Sequence, residues 1–318
     1  MKRIAPKPVS RAPARAPRAR ALTVAWLRAR PLPGPFATSD KEERGRVLVL
    51  GGSADVPGAV LLAGTAALHA GAGKLHIATA RPVARQLAIG LPEAMVSPVP
   101  IDARGELASL PASIRAAAAQ TDAMLLGPGM APGRAADALV AKLLRKTSAT
   151  ACVIDAGAIG PGLRALPKGA TAIVTPHAGE MAATTGLDRA DIEADPARVA
   201  LAFARDYRCI VVMKGVPTQI ATPAGELLRF SVRAPGLGTS GSGDVLAGLI
   251  AGLLARGTAA LPAAAWGVWL HGRAGLALGE SMGPVGYLAR DLSPRVPALM
   301  QRACGGVAAR SRPQQSRG

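Results

Sequence analysis

Short runs of apolar residues alternate with longer alanine- and leucine-rich stretches along most of the chain. The short runs, bounded by glycine or polar residues, predict buried β-strands at 46–50, 75–79, 123–126, 151–155, 172–175 and 209–213. The longer stretches predict helices at 58–71, 134–145, 196–207, 243–256, 263–278 and 292–301. Because strands that are apolar on both faces need helices on both sides, this alternation indicates a doubly wound α/β fold with a mostly parallel sheet.

Two further strands are predicted at 218–221 and 228–232, and the segment that joins them contains Pro223 and Gly225. Turn residues between two close apolar runs are typical of a β-hairpin. We therefore expect an antiparallel hairpin at the edge of the sheet.

A glycine-rich segment, GTSGSGD at 238–244, leads directly into one of the predicted helices. Glycines let backbone N–H groups converge, and the start of a helix adds unpaired N–H groups and the positive end of its dipole. Such an arrangement suits a phosphate or a developing oxyanion. Asp244 then has two interpretations. It is either an ordinary acid in the first turn of the helix, or a group that takes a proton from a hydroxyl attacking a bound phosphoryl group.

Two commoner phosphate-binding motifs do not explain this segment. It lacks the Lys-Ser/Thr ending of a P-loop. Residues 236–241 match GxGxxG, but a dinucleotide-binding fold needs an acid about 20 residues later. Residues 245–279 contain no Asp or Glu, so the match is interpreted as accidental.

With 318 residues, 49% of them apolar and 18% charged, the chain suits a globular enzyme, and no apolar run is long enough to predict a membrane span. The net charge of +18 is uneven. Residues 1–30 hold nine Lys or Arg and residues 302–318 hold four Arg, with no acid in either segment, which leaves +5 for the middle. We therefore expect one domain at 31–301 between two disordered basic tails, 1–30 and 302–318.

These tails are compatible with non-specific contact to nucleic acid or anionic lipid, and with having no defined role. The Arg-rich, acid-free residues 1–30 also share features with a transit peptide, although their prolines oppose an amphipathic helix.

Three cysteines, Cys152, Cys209 and Cys304, are odd in number and widely spaced, and the four histidines show no paired spacing. This pattern predicts neither a zinc site nor a disulfide framework. A reduced, cytoplasmic enzyme whose own residues ligate no structural metal is the simplest interpretation.

Small or polar residues follow the predicted strands, where ligand sites lie in doubly wound folds. Taken together, these segments resemble the ribokinase-like superfamily, and more closely its NAD(P)H-hydrate dehydratase family. The matching pieces come in the family's order: GRVLVLGGS at 45–53, PGA at 57–59, AGAG at 70–73, GPG at 127–129, TPHAGE at 175–180, KG at 214–215, GSGDVLAG at 241–248 and LHG at 270–272. TPHAGE and GSGDVLAG are the most specific of them.

The resemblance implies an activity. Members of this family restore NADH and NADPH that have been hydrated on the nicotinamide ring, with ADP in most bacterial members and ATP in eukaryotic ones. The ring hydroxyl would be phosphorylated, and phosphate, a better leaving group than hydroxide, would then depart. Mg²⁺ would bridge the phosphates of the nucleotide.

The resemblance also implies residue roles. Asp244 would orient or deprotonate the ring hydroxyl. The transferred phosphoryl group would be held by the N–H groups of Gly241, Ser242 and Gly243. Besides Asp244, the hydrated dinucleotide would contact Ala59, Gly129 and His177. The adenine nucleotide would contact Lys214, Gly215, Val216, Pro217, Thr218 and Gly243.

Several of these side chains also have plainer structural interpretations. His177 could cap a loop, Glu180 could be a first-turn acid, and Lys214 could be a surface charge. His271 lies in an apolar helix and is interpreted as packed rather than catalytic.

Two positions depart from the family pattern. Gly157 stands where the family usually has a second Asp, and APGLG at 234–238 stands where it usually has an Asn. Nucleotide or metal contacts inferred from these positions are left open.

Two other functions are compatible with parts of the sequence. A small-molecule kinase of the same fold would share the glycine loop and Asp244 and would phosphorylate a vitamin-precursor alcohol with ATP, but TPHAGE favours the dehydratase. A nucleic-acid-associated protein has only the charge of the tails in its favour, since no motif reads RNA or DNA. By analogy with relatives, we expect a homo-oligomer, specifically a tetramer.

Overall fold

A ten-stranded β-sheet forms the centre of the computed structural model, which describes residues 18–34, 43–145 and 151–305. In chain order the strands are β1 (Arg20–Ala21), β2 (Arg46–Leu50), β3 (Lys74–Ala80), β4 (Ala94–Val99), β5 (Ala123–Leu126), β6 (Ala151–Ile154), β7 (Ala172–Val174), β8 (Ile210–Met213), β9 (Thr218–Ala221) and β10 (Leu227–Phe230). Across the sheet their order is β1-β10-β9-β8-β7-β6-β5-β2-β3-β4. Strands β2 to β8 are parallel, and β9 is antiparallel to both β8 and β10. The expected mostly parallel sheet with an antiparallel hairpin is confirmed.

Helices cover both faces of this sheet. They are α1 (Val24–Arg28), α2 (Gly58–His69), α3 (Ala84–Gly90), α4 (Ala112–Ala119), α5 (Arg134–Leu144), α6 (Ala178–Thr185), α7 (Arg189–Ala194), α8 (Pro196–Tyr207), α9 (Ser242–Ala255), α10 (Ala260–Met282), α11 (Ala289–Leu292) and α12 (Val296–Ala303). None of the helices in the described part of the chain combines the length and hydropathy that a bilayer crossing requires.

The side chains of the central strands divide the core in two. Val47 and Val49 of β2 pack in a cluster with α2, α9 and α10, whereas Leu48 and Leu50 pack in a second cluster with α4, α5 and α8. Successive residues of a strand point to opposite faces, so a strand buried on both sides must be apolar throughout. This requirement explains why the predicted strands show no polar alternation.

Strand β4 was not predicted from the sequence. It contains Ser97 and Pro98, and Met95 is 59% exposed. Proline cannot donate to a neighbouring strand, so it is confined to edge strands such as β4. An edge strand with one solvent-exposed face lacks the continuous apolar run that predicts the central strands.

The expectation of a disordered tail up to residue 30 is wrong for residues 20–30. Strand β1 pairs in parallel with β10, so it lies outside the hairpin, and α1 follows it directly. Thr23 caps α1 by accepting a hydrogen bond from the Trp26 N–H at 3.2 Å, and Trp26 and Leu27 are buried. The Arg30 carbonyl accepts a hydrogen bond from the indole N–H of Trp266 on α10 at 3.0 Å. Apolar side chains among the arginines therefore attach this segment to the core.

At the other end, α12 runs to Ala303 and so enters the expected C-terminal tail by two residues. The rest of the two predicted tails, residues 1–17 and 306–318, lies outside the described residues. The single domain over 31–301 stays a prediction.

Two glycines bring α9 unusually close to α2. A Cβ atom on Gly248 would overlap the carbonyl oxygen of Ala63, and one on Gly252 would overlap that of Ala67. The two glycines are one helical turn apart, so both face α2. This close approach fixes the position of α9, and with it the glycine-rich turn at its start.

We expect Gly248→Ala to destabilise the protein by about 1–3 kcal/mol or more, because the added methyl group meets backbone that cannot move aside easily. Gly279→Ala is the matched control, since a Cβ atom at Gly279 on α10 would meet nothing within 4 Å. Alanine there should be neutral or stabilise by up to about 1 kcal/mol, because it restricts the unfolded chain. Urea unfolding of both variants measures the difference, and equal effects would contradict the packing argument.

Candidate functional site

The glycine-rich turn begins α9 at the carboxyl ends of the parallel strands. Gly241, the residue before the helix, has a φ of 85°, and a Cβ atom there would overlap a methyl group of Leu62. A glycine is therefore required for both conformation and space. The Ser242 N–H donates to the Thr239 carbonyl at 3.3 Å. Within the described residues, the N–H groups of Gly241, Gly243 and Asp244 have no such carbonyl partner, so they are available to an anion.

One buried ion pair stands beside this turn. Lys214 follows β8, and its Nζ lies 2.9 Å from Oδ1 of Asp155, at the end of β6. The Thr175 hydroxyl donates to the same Asp155 oxygen at 2.6 Å. Asp155 is only 2% exposed, so its charge is compensated by these contacts rather than by water. The plainer interpretation of Lys214 as a surface charge is thus excluded.

Lys214 also reaches the first turn of α6 and that of α9. Its Nζ lies 3.4 Å from Oε2 of Glu180. A Cβ atom on Gly243 would lie 3.2 Å from the same nitrogen. The ammonium group therefore adds positive charge where the unpaired N–H groups of α9 begin.

Asp244, in the first turn of α9, has an altered proton affinity. Burial raises the pKa of its carboxyl group to about 7 from an ordinary value of 3.8. The charge of Asp155 adds to this rise, the Lys214 ammonium opposes it, and Glu180 adds a smaller rise. A carboxyl group with a pKa near neutrality can accept a proton at physiological pH and release it again.

His177 and Glu180 form a capping box at the start of α6. Nδ1 of His177 accepts hydrogen bonds from the N–H groups of Gly179 at 2.9 Å and Glu180 at 3.2 Å. Oε2 of Glu180 accepts one from the His177 N–H at 2.8 Å. Because Nδ1 accepts, Nε2 is the ring nitrogen of a neutral His177 that carries the proton. The capping role considered for His177 is present, and its ring, on a side chain that is 57% exposed, remains available to a ligand.

A cavity of about 700 Å³ opens beside the turn. Most of the residues expected to contact the nucleotide line it, namely Lys214, Gly215, Val216, Thr218 and Gly243, together with His177 and Ser242. Pro217 is not among the lining residues. The opposite wall is mainly apolar and includes Phe230, Val232, Pro235, Leu237 and Val268. A cavity that combines a cationic end with an apolar wall suits a nucleotide.

Ala59 and Gly129 lie together but do not line this cavity. A Cβ atom on Gly129, whose φ is 70°, would lie 2.9 Å from the Ala59 Cβ. Ala59 belongs to α2, which also carries the Leu62 methyl group against Gly241. These two residues therefore lie with α2, apart from the residues that line the cavity.

His271 was interpreted as packed, and the structure adds a polar contact to that interpretation. Its Nε2 lies 2.9 Å from the Ser242 hydroxyl and 3.0 Å from the Ser242 carbonyl oxygen. Burial lowers the pKa of His271 to about 4. The helical spacing of α10 identifies an inward face but cannot reveal which polar group that face meets.

Two glycines at the departures from the family pattern are sterically confined. A Cβ atom on Gly157 would overlap the Met130 carbonyl oxygen, and one on Gly236 would overlap the Tyr287 ring. Neither of these glycines admits a side chain in this conformation, whereas a Cβ atom on Gly238, in the second segment, would meet nothing within 4 Å.

The carboxylates of the site do not form a metal centre by themselves. Within the described residues, no group of three or more His, Cys, Asp or Glu side chains is placed to hold a metal ion. Asp155 and Glu180 instead share Lys214. All three cysteines fall in the described ranges, and none of them forms a disulfide.

Comparison with known proteins identifies the family of the chain. Residues 47–298 match the family described as NAD(P)H-hydrate dehydratase. The chain is 51% identical over 286 residues to the ADP-dependent (S)-NAD(P)H-hydrate dehydratase of Xanthomonas campestris pv. campestris, an alignment that covers 90% of this chain and 98% of that protein.

Two solved structures place the fold. A ribokinase-like superfamily protein from Enterococcus faecalis V583 has a TM-score of 0.75 and 26% identity, covering 90% of this chain and 96% of that one. The ADP/ATP-dependent NAD(P)H-hydrate dehydratase from Bacillus subtilis, co-crystallized with ATP and Mg²⁺, has a TM-score of 0.78 and 30% identity, covering 90% and 99%. The fold is thus ribokinase-like. Within that class, the chain belongs to the NAD(P)H-hydrate dehydratase family.

We expect Asp244→Asn to raise the thermal stability of the protein above neutral pH. With a folded-state pKa of about 7, above the ordinary 3.8, Asp244 binds a proton more tightly in the folded than in the unfolded chain. Stability is therefore lost as the pH rises from about 4 through about 7. Asparagine cannot ionise, so the gain in Tm should be larger at pH 8 than at pH 4. The exposed Asp55→Asn is the control, and a gain independent of pH would contradict the raised pKa.

Asp155→Asn should destabilise the protein by about 3 kcal/mol, because it removes the nearer counter-charge of the buried Lys214 ammonium and leaves Glu180 at 3.4 Å. Glu193→Gln is the matched change at an exposed pair, where Arg189 and Glu193 have side chains 70% and 52% exposed. That pair should contribute about 1 kcal/mol or less. Chemical unfolding of both variants tests the contrast, and a loss at Asp155 no greater than at Glu193 would show that the buried pair is not required.

Proposed function

We propose that the protein removes water from hydrated NADH and NADPH, using an adenine nucleotide as the phosphoryl donor. The observation that carries the proposal is the position of Asp244. A carboxyl group with a pKa near neutrality lies in the first turn of α9, beside backbone N–H groups that can hold an anion, and the charge of Lys214 acts on it. The 51% identity to an ADP-dependent (S)-NAD(P)H-hydrate dehydratase supports the same substrate and favours the lyase over the small-molecule kinase considered above.

The reaction has two stages. Asp244 accepts the proton of the ring hydroxyl while the oxygen of that hydroxyl attacks the terminal phosphorus of the nucleotide. The bond between this phosphorus and the oxygen that bridges it to the rest of the nucleotide breaks. The phosphorylated ring then loses phosphate through cleavage of its C–O bond, and a proton leaves the neighbouring carbon to restore the double bond. With ADP, the products are NAD(P)H, AMP and inorganic phosphate.

The chain's own residues supply charge stabilisation for the first stage. The N–H groups of Gly241 and Gly243 and the ammonium group of Lys214 face the place where negative charge spreads over the transferred phosphoryl group. Donors fixed in advance lower the barrier because they need no reorganisation during the reaction. The bonds of Lys214 to Asp155 and Glu180 hold its side chain in this position.

The two substrates would bind on opposite sides of the glycine turn. The nucleotide would occupy the cavity of about 700 Å³, with its phosphates toward Lys214 and Gly243 and its base against the apolar wall. The hydrated nicotinamide would approach from the α2 side, past Ala59 and Gly129, whereas His177 lines the cavity itself. Asp244 lies between the two.

We propose ADP as the donor, because the relative that is 51% identical is described as ADP-dependent. Mg²⁺ would be bound chiefly by the phosphates of the nucleotide, since the carboxylates of the described site are engaged with Lys214. When bound, it would neutralise phosphate charge. A cytoplasmic, homo-oligomeric enzyme without a specific nucleic-acid partner completes the proposal.

The direct test mixes the purified protein with hydrated NADH, Mg²⁺ and either ADP, ATP or no nucleotide. We expect absorbance at the reduced-nicotinamide band to rise with ADP. Asp244→Asn should lower the rate by about 100-fold or more, the usual effect of removing an acid–base group. Glu193→Gln, the same kind of change on the surface, should leave it unaltered. No rise with either nucleotide from folded protein would refute the proposed function.

The rate should depend on pH through Asp244. Because the ionised form accepts the proton, kcat/KM should rise with pH and reach half its plateau near the pKa of about 7. Asp155→Asn should move this midpoint to lower pH and Lys214→Met should move it to higher pH, since the two charges act on Asp244 in opposite directions. Rate profiles of the three proteins provide the check, and midpoints that do not move would assign the titration to another group.

A further inference from the structure

Ser242, the first residue of α9, meets the imidazole of His271 at two points. Nε2 of His271 lies 3.0 Å from the Ser242 carbonyl oxygen and 2.9 Å from its hydroxyl oxygen. Ser242 is buried, and both residues line the cavity that we assign to the nucleotide. His271 is on α10, so the contact joins two helices at the glycine turn.

These distances fix the hydrogen on Nε2 of His271 and exclude His271 as the acceptor of the Ser242 hydroxyl hydrogen. A carbonyl oxygen can only accept, so Nε2 must carry the hydrogen that bonds to it. Nε2 then has no lone pair to offer, and the Ser242 hydroxyl oxygen can only accept from the same N–H. The hydroxyl hydrogen is left to be donated elsewhere.

No protein group takes that hydrogen. Within the described residues, the Ser242 hydroxyl has no contact other than His271. The groups nearest in the chain are the N–H of Gly243 and the carboxyl of Asp244, and the Lys214 ammonium lies against Gly243. The hydroxyl therefore stands at the cationic end of the cavity, where an incoming phosphate oxygen is a suitable acceptor.

We propose that His271 is a positioning residue that holds Ser242 so that its hydroxyl donates to a phosphoryl oxygen of the bound nucleotide. The His271 ring stabilises the first turn of α9 through the carbonyl oxygen and orients the side chain through the hydroxyl oxygen. Ser242 thus provides a side-chain donor in addition to the backbone N–H groups of its neighbours. The identity of the ligand rests on the proposed function, whereas the hydrogen-bond arrangement does not.

The environment of the ring keeps it neutral, as this arrangement needs. Burial lowers the pKa of His271 to about 4, the bond to the Ser242 carbonyl opposes this, and the Lys214 charge lowers it further. A neutral ring with its hydrogen on Nε2 leaves Nδ1 without a hydrogen. Within the described residues, Nδ1 has no hydrogen-bond partner and is not among the buried unpaired polar atoms.

The kinetic test compares His271→Leu, His271→Gln and Ser242→Ala in the reaction with hydrated NADH and ADP. Leucine removes the donor, and we expect kcat/KM for ADP to fall by about tenfold to 100-fold, the range for losing a hydrogen bond and misplacing a reacting group. Glutamine can place an amide N–H near the position of Nε2 and should restore most of the loss. Ser242→Ala should cost about tenfold, and combining it with His271→Leu should add little, because both changes remove the same hydrogen bond from the Ser242 hydroxyl to the phosphoryl oxygen.

His76→Leu is the matched control. His76 on β3 also bonds a serine hydroxyl, that of Ser97, at 2.9 Å, but β3 is next to the edge strand β4, five strands away from β8. The His76→Leu variant should keep the wild-type kcat/KM even if its Tm is lower. If His271→Leu lowers Tm as His76→Leu does but keeps the wild-type kcat/KM, then His271 is only packed and the proposal is wrong. An inactive wild type would instead refute the proposed function.

A second measurement does not depend on turnover. The chain has four histidines, so the ring ¹⁵N signals can be assigned with single variants. We expect His271 to be the neutral Nε2–H form at pH 7, with and without ADP, and this form should persist in Ser242→Ala, where the carbonyl remains. A ring protonated at pH 7, or one with its hydrogen on Nδ1, would overturn the proposed arrangement.

Discussion

The Lys214 ammonium group faces three carboxylates, and the balance among these four charges governs the site. It lies 2.9 Å from Asp155 and 3.4 Å from Glu180, so most of its charge is compensated before Asp244 is considered. Burial and the charges of Asp155 and Glu180 therefore raise the pKa of Asp244, and the partly compensated Lys214 ammonium opposes them only in part. The result is a pKa of about 7. The same contacts that make the buried ion pair tolerable also supply a proton acceptor suited to neutral pH.

Packing of α9 makes that balance possible. Gly248 and Gly252 allow α9 to approach the backbone of α2, and Gly241 turns the chain into the helix beneath Leu62. From the other side, His271 holds the first residue of the helix by its carbonyl oxygen. A shift of the helix would move Asp244 and the unpaired N–H groups together. Gly248 and Gly252, which take no part in the reaction, therefore determine where these groups lie.

The sequence predicted the central strands and the glycine turn because both depend on local rules. A strand buried on both faces must be apolar throughout, and a left-handed residue before a helix requires glycine. Strand β4 was missed because an edge position tolerates Ser97 and Pro98. The segment 20–30 was missed because its arginines dominate the composition, although Leu22, Trp26 and Leu27 pack into the core. In both places tertiary contacts outweighed the local pattern.

By itself, the sequence determined which residue types stand at the strand ends and that a glycine loop with an acid opens an apolar helix. Periodicity and backbone conformation are properties of neighbouring residues, so they can be deduced along the chain. Only the tertiary structure decided that Asp155, Glu180 and Asp244 surround Lys214, and that His271 meets Ser242. These residues are far apart in the sequence, and charge interaction and hydrogen bonding depend on distances in space that only the packed sheet and helices set.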